Sequence, residues 1–144
     1  CGFGNGDRLH RMAKKASYIL YDMKSIDDTV HQYATGVSNQ LILENLSRLA
    51  DDPEINGKIW MRMPLIQGLN DTPDIIARTC AFYREHHLTY VTLFPYHELG
   101  ISKYKSLGQA YENFAPPDTE RLHEIQALFQ ANGTKADILG EQVQ

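Results

Sequence analysis

The chain has 144 residues, 42% of them hydrophobic, and a formal net charge of −4, which fits one domain with one core and leaves little room for a second. Its 14 Lys and Arg stand against 18 Asp and Glu with no basic block, so composition argues against nucleic acid, whose phosphates need clustered cations. No apolar run approaches the ~18 residues of a membrane span, no secretory leader is visible, and two cysteines, Cys1 and Cys80, make no disulfide framework, so a reducing, cytoplasmic setting is expected. The opening CGFGNG, with Cys1 in place of a start Met, reads as the middle of something longer: a processed product, a cloned fragment and a degenerate gene all fit it.

The expected elements alternate helix and strand. Leu9, Met12, Ala13 and Ala16 recur at helical spacing after Asn5-Gly6 and predict a first helix. Residues 18–23 are a short, β-prone apolar run, the first strand. His31 falls on a helical turn, in a packing or capping role, before Thr35-Gly36 breaks the chain. Ser38 is placed as cap of a helix with Ile42, Leu46 and Leu49 on one face. Residues 58–63 read as the second strand, ended by Pro64. Thr72, Pro73 and Asp74 open a helix, since proline suits the first turn and an acid suits the positive dipole end; Ile76, Cys80 and Tyr83 are its buried stripe. Residues 88–94 are the third strand. A polar loop follows, with a short helix over 104–107. Pro117, Asp118 and Glu120 open the last long helix, with Leu122, Ile125, Leu128 and Phe129 facing the core, and Asn132-Gly133 stops it. Residues 136–139 make a final strand. Strands alternating with helices in this way define parallel βα units joined by right-handed crossovers. The fold class is α/β, a parallel (βα) half-barrel, with residues 1–144 as a single domain.

In such architectures the working groups project from the carboxyl ends of strands. The first strand ends in Asp22-Met23-Lys24, and residues two apart share a face. The second carries Arg62 near its end, between Met61 and Met63, and the third ends in Phe94-Pro95-Tyr96-His97. One acid, two permanent cations and an imidazole at equivalent positions suit a ligand with a carboxylate, hydroxyls and an aromatic base. Each alone also has an ordinary reading: Asp22 and Lys24 as a local ion pair, Arg62 as partner of a structural carboxylate, His97 as a loop residue. His86 and His87 close a helix, where a cation suits the negative dipole end. His10 and His123 sit on helix surfaces, and no pair of histidines has zinc-motif spacing. Cys80 is an inert buried thiol on a helix core face; Cys1 is terminal, with no base identifiable beside it. There is no nucleophile elbow, and GFGNG lacks the G-x-G-x-x-G spacing.

Three stretches carry a family resemblance. YILYDMKSIDDTVHQYATGVSNQLILENLSRLA, RMPLIQGLNDTPDII and LFPYHELGISKYKSLGQAY resemble, in order and approximate spacing, the carboxyl-terminal half of glycyl-radical-enzyme activating enzymes of the pyruvate formate-lyase activating enzyme type, in the radical S-adenosylmethionine superfamily. Any one motif would mean little; the series D-x-K, T-G-V-S-N, R-x-P-x-I-x-G-x-N-D and P-Y-H-x-L-G is specific.

The resemblance implies the second half of a partial, TIM-like radical S-adenosylmethionine barrel, without the amino-terminal half that binds the cluster. It implies S-adenosylmethionine held on a [4Fe–4S] cluster and reduced to a 5′-deoxyadenosyl radical. That radical takes hydrogen from a glycine of a partner enzyme such as pyruvate formate-lyase, with flavodoxin or ferredoxin as electron donor. Carried over by position, Asp22, Lys24, Arg62 and His97 bind S-adenosylmethionine. Asp22 and Lys24 match residues that hold the methionyl and ribose part, Arg62 matches a residue beside the ligand, and His97 matches one near the adenine. Asp22 also matches part of a monovalent-cation site. Tyr96 and Tyr104, in the loop 92–107, are expected to meet the glycyl-radical partner. The departure lies at the cluster. Two cysteines cannot supply C-x-x-x-C-x-x-C, and the glycine-glycine-glutamate stretch is absent, as are the acid and Thr that would complete the cation site. The chain is therefore expected to carry no catalytic residue and no iron–sulfur ligand, and to be inactive alone. Two other readings compete: a non-catalytic half-barrel that binds a partner protein or self-associates through edges left by cutting a barrel, and a small aldolase-like enzyme with Lys24 as Schiff base.

Overall fold

The computed structural model describes residues 2–97 and 114–141. Four parallel strands, β1 (Ile19–Asp22), β2 (Ile59–Leu65), β3 (Tyr90–Pro95) and β4 (Lys135–Ile138), lie side by side in chain order. The helices among the described residues are α1 (Gly6–Lys15), α2 (Asp28–Thr35), α3 (Gln40–Ala50), α4 (Pro53–Asn56), α5 (Pro73–Glu85) and α6 (Thr119–Ala131). Parallel neighbours cannot be joined by a tight hairpin. The crossovers are α2 to α4 between β1 and β2, α5 between β2 and β3, and the stretch holding α6 between β3 and β4.

Side chains alternate across the sheet, and the two faces differ. Tyr21, Met61, Met63, Leu65, Val91, Leu93 and Ala136 are buried in one cluster with Leu46, Ile76, Tyr83, Ile125 and Phe129 from the helices. The opposite face presents Leu20, Asp22, Trp60, Arg62, Tyr90, Thr92, Lys135 and Asp137, which are half-buried or exposed. One sheet face is thus covered by helices and the other is open, as in half of a barrel wall. On the open face the rings of Tyr18, Trp60 and Tyr90 run across the sheet, with centroids 5.1 and 4.9 Å apart.

Local chemistry sets the helix ends. Asn5, Asp27, Asp52, Thr72 and Asp118 each accept a first-turn backbone N–H at α1, α2, α4, α5 and α6. Gly36 ends α2 at φ 79° and Gly133 follows α6 at φ 88°, left-handed conformations that favour glycine. Asp52 also receives Lys14 at 2.7 Å and His10 at 2.8 Å, tying α1 to α4; the Lys14 ammonium is the main reason its carboxyl sits at about 2. Inside, Tyr83 is fully buried with its hydroxyl unpartnered among the described residues.

Several boundaries differ from the sequence reading. The turn around His31 is a full helix, α2, because Asp27 caps it and the buried His31 donates Nδ1–H to the Val37 carbonyl at 2.8 Å. The short helix α4 was not anticipated; it forms on the Asp52 cap with Pro53 in its first turn. At α3 the cap position is Asn39, although Ser38 Oγ accepts the Gln40 N–H at 3.2 Å. β2 does not stop at Pro64 but continues to Leu65. Met23 N–H donates to the Arg62 carbonyl and Tyr96 N–H to that of Leu65, so by alternation Pro64 turns its missing donor toward β1, which has already ended. Leu128, expected to face the core, is 43% exposed. No helix among the described residues is long and apolar enough to cross a membrane.

Candidate ligand site at the carboxyl ends of the strands

β1 and β2 pair with Asp22 opposite Arg62, so both side chains rise from the open face at one level. Arg62 Nε–H donates to Asp22 Oδ1 at 2.6 Å, and Lys24 Nζ lies 3.9 Å from Asp22 Oδ2. The three side chains are 36%, 23% and 42% exposed for Arg62, Asp22 and Lys24, so the carboxylate is the most enclosed. The ring of Phe94, opposite Pro64 in the register, lies 5.7 Å from the Arg62 guanidinium carbon, a cation–π distance. Thr92 and Asp137 complete the row across β3 and β4, and Asp137 accepts the Tyr90 hydroxyl at 2.5 Å.

The structure therefore joins three of the residues marked in the sequence and shows how they pair. The dominant partner of Asp22 is Arg62 across the strands; the local contact to Lys24 is at the outer limit of an ion pair. The structural carboxylate considered for Arg62 is Asp22 itself. Two cations against one acid leave a surplus positive charge on a half-buried face. Among the described residues the terminal nitrogens of Arg62 take no hydrogen-bond partner. This donor set fits a carboxylate next to hydroxyl groups: the free guanidinium N–H groups and the ammonium can meet the former, and the Asp22 carboxylate can accept from the latter.

Tyr96 and His97 follow β3. Tyr96 is anchored by its N–H to the Leu65 carbonyl at 3.0 Å, and its ring meets Phe114 edge-on at 5.8 Å. His97 is exposed, and among the described residues neither side chain hydrogen-bonds to Asp22, Lys24 or Arg62. Tyr104, the helix expected over 104–107, and Cys1 lie outside the described residues. Of the remaining histidines, His10 meets Asp52 and His123 meets Glu141 at 3.1 Å, both on helix surfaces. Cys80 is free and buried on α5, and burial pushes its thiol up to about 11. No group of three or more His, Cys, Asp or Glu that could hold a metal ion occurs among the described residues. A four-iron cluster, which takes thiolates, does not fit this donor set.

The reading from sequence did not single out Phe94 as a partner of Arg62, nor two buried asparagines, Asn39 and Asn70, behind the Lys24 loop. Both lay inside quoted motifs, T-G-V-S-N and R-x-P-x-I-x-G-x-N-D, and that position was the available signal.

A chain-ordered parallel sheet with helices on one face and charged groups at its carboxyl ends makes this a parallel βα half-barrel domain. The solved structure of a domain of pyruvate-formate lyase-activating enzyme from Bacteroides vulgatus ATCC 8482 superimposes with a TM-score of 0.72 and 28% identity, covering 94% of this chain and 73% of that one. The 4-hydroxyphenylacetate decarboxylase activating enzyme of Clostridioides difficile (strain CD196) is 37% identical over 127 residues, 87% of this chain and 40% of the relative. The trans-4-hydroxy-L-proline dehydratase activating enzyme of Clostridioides difficile is 36% identical over 144 residues, 97% of this chain and 47% of the relative. No family model matches the chain. The chain is homologous to the carboxyl-terminal half of the glycyl-radical-enzyme activating enzymes, and it spans less than half the length of the curated relatives it matches.

Proposed function

We propose that this chain is one domain, the carboxyl-terminal half of a glycyl-radical-enzyme activating enzyme, and that its strand ends hold S-adenosylmethionine. The observation that carries the reading is the Asp22–Arg62 bond of 2.6 Å across two parallel strands at their carboxyl ends, with Lys24 at 3.9 Å. Arg62 and Lys24 bind the methionyl carboxylate, Asp22 accepts from the ribose hydroxyls and contributes to a monovalent-cation site, and His97 lies along the adenine. On a [4Fe–4S] cluster S-adenosylmethionine supplies hydrogen-abstracting radical chemistry; the cysteines for that cluster belong to the other half, and this chain alone is inactive. Its residues bind and orient. The partner is a glycyl radical enzyme of the pyruvate formate-lyase kind, reached through Tyr96 and Tyr104, with flavodoxin or ferredoxin as electron donor. Titration of the isotope-labelled chain with S-adenosylmethionine tests the ligand end. Amide shifts are expected to cluster at residues 22–24, 62 and 94–97; a spectrum without change there overturns the assignment.

A second reading, self-association without catalysis, is favoured by the outer edge of β1, which no other strand among the described residues pairs. Beside it Met12, Tyr18 and Leu20 are 68%, 67% and 54% exposed, and an edge flanked by apolar side chains is a template for pairing. Light scattering across a concentration series is expected to show the mass rising toward a dimer on this reading; a monomer at every concentration removes it.

A further inference from the structure

The loop that carries Lys24 is held by two side-chain amides from different parts of the chain. Asn70 donates from Nδ2 to the Lys24 carbonyl at 2.7 Å and to the Pro64 carbonyl at 2.7 Å, while its Oδ1 accepts the Ile66 N–H at 2.8 Å. Asn39 donates from Nδ2 to the Ser25 carbonyl at 3.1 Å and to the Ile26 carbonyl at 3.0 Å, and its own N–H donates to Asp28 Oδ1 at 2.8 Å. Three consecutive carbonyls, those of residues 24, 25 and 26, thus each take a side-chain amide. Asn39 and Asn70 are 2% and 3% exposed. A buried asparagine with both amide hydrogens used is a costly group to place and a rigid one once placed, because each lost donor would strand a carbonyl.

The arrangement is specific in what it joins. Asn70 bridges the end of β1 to the end of β2, the two strands that present Asp22 and Arg62. Asn39, immediately before α3, fixes the next two peptides of the same loop. Lys24 lies beyond β1, where the sheet no longer dictates its backbone, yet its ammonium must keep register with the Asp22–Arg62 pair. We propose that Asn39 and Asn70 are positioning residues that set the place of Lys24 for ligand binding, acting through the backbone carbonyls of residues 24–26. The proposal rests on the S-adenosylmethionine reading of the site.

The test is a double-mutant cycle on the full chain, with S-adenosylmethionine as probe and calorimetry as readout. Asn70→Ser and Asn39→Ser are made separately, each alone and with Lys24→Ala, and circular dichroism identifies the folded variants. Each asparagine change is expected to weaken binding about tenfold in the parent chain and to have no further effect once Lys24 is alanine, because coupled residues are non-additive. Unchanged affinity, or an equal loss in the Lys24→Ala background, overturns the positioning role. Amide hydrogen exchange without ligand supplies an independent arm, open even to a variant that is too unstable for calorimetry. Faster exchange confined to residues 25–27 supports the clamp; exchange unchanged there, or raised throughout the chain, overturns it. A parent chain that binds nothing while this exchange pattern appears defeats the ligand reading and leaves the clamp standing.

Discussion

Asp22→Asn is expected to weaken S-adenosylmethionine binding by roughly tenfold to a hundredfold, the factor that goes with losing ~1.5–3 kcal/mol of hydrogen bonding to a charged group. The same change is expected to strengthen, or leave unaltered, the binding of a simple carboxylate such as methionine. The reason is the charge arrangement. Asp22 is the only acid in contact with Arg62 and Lys24 among the described residues, and an amide keeps its shape while removing its charge. The face then presents two uncompensated cations: better for an anion, worse for hydroxyls that need an anionic acceptor. Parallel calorimetry with the two ligands checks it, and an equal fall for both would show that Asp22 only holds Arg62 in place. The stability cost is expected to be about 1 kcal/mol or less, since both partners keep contact with solvent.

The second large effect concerns the wall that carries the site. Phe129→Ala is expected to lower unfolding free energy by about 3–5 kcal/mol, the usual range for emptying a buried aromatic position. Phe129 is fully buried on α6 and packs against Tyr83 of α5 with centroids 5.5 Å apart. Leu128, its neighbour in sequence, is 43% exposed, and Leu128→Ala is expected to cost about 0.5 kcal/mol. Denaturant titrations of both variants check the contrast. Near-equal midpoints would mean that α6 does not dock through Phe129, and that β4 is held by the sheet alone.

The helical stripes and the strand alternation were legible because both are local: Ile76, Cys80 and Tyr83 recur at the spacing of α5 and are all buried. The order of strands followed from chain order, since each pair is joined by a crossover. Leu128 was misjudged because apolar spacing marks a helix face without saying how much of that face a neighbour covers. Pro64 was misread as a stop because its harmlessness depends on where a different strand ends. For the site, the motif series pointed to Asp22, Arg62 and Lys24, but not to which pairs touch. The 2.6 Å contact is set by the register of β1 on β2, a property of two segments forty residues apart. The roles of Asn39 and Asn70 were hidden for the same reason: their partners are backbone carbonyls, which have no signature in a sequence.

Trp60 is the single tryptophan in the chain, and it stands in the middle of the uncovered sheet face, 38% exposed, between the rings of Tyr18 and Tyr90. The molecule therefore carries one built-in optical probe on the sheet face that the helices leave open. Whatever covers that surface removes water from the indole and shifts its emission to shorter wavelength, so occupancy of the open face can be followed without any label.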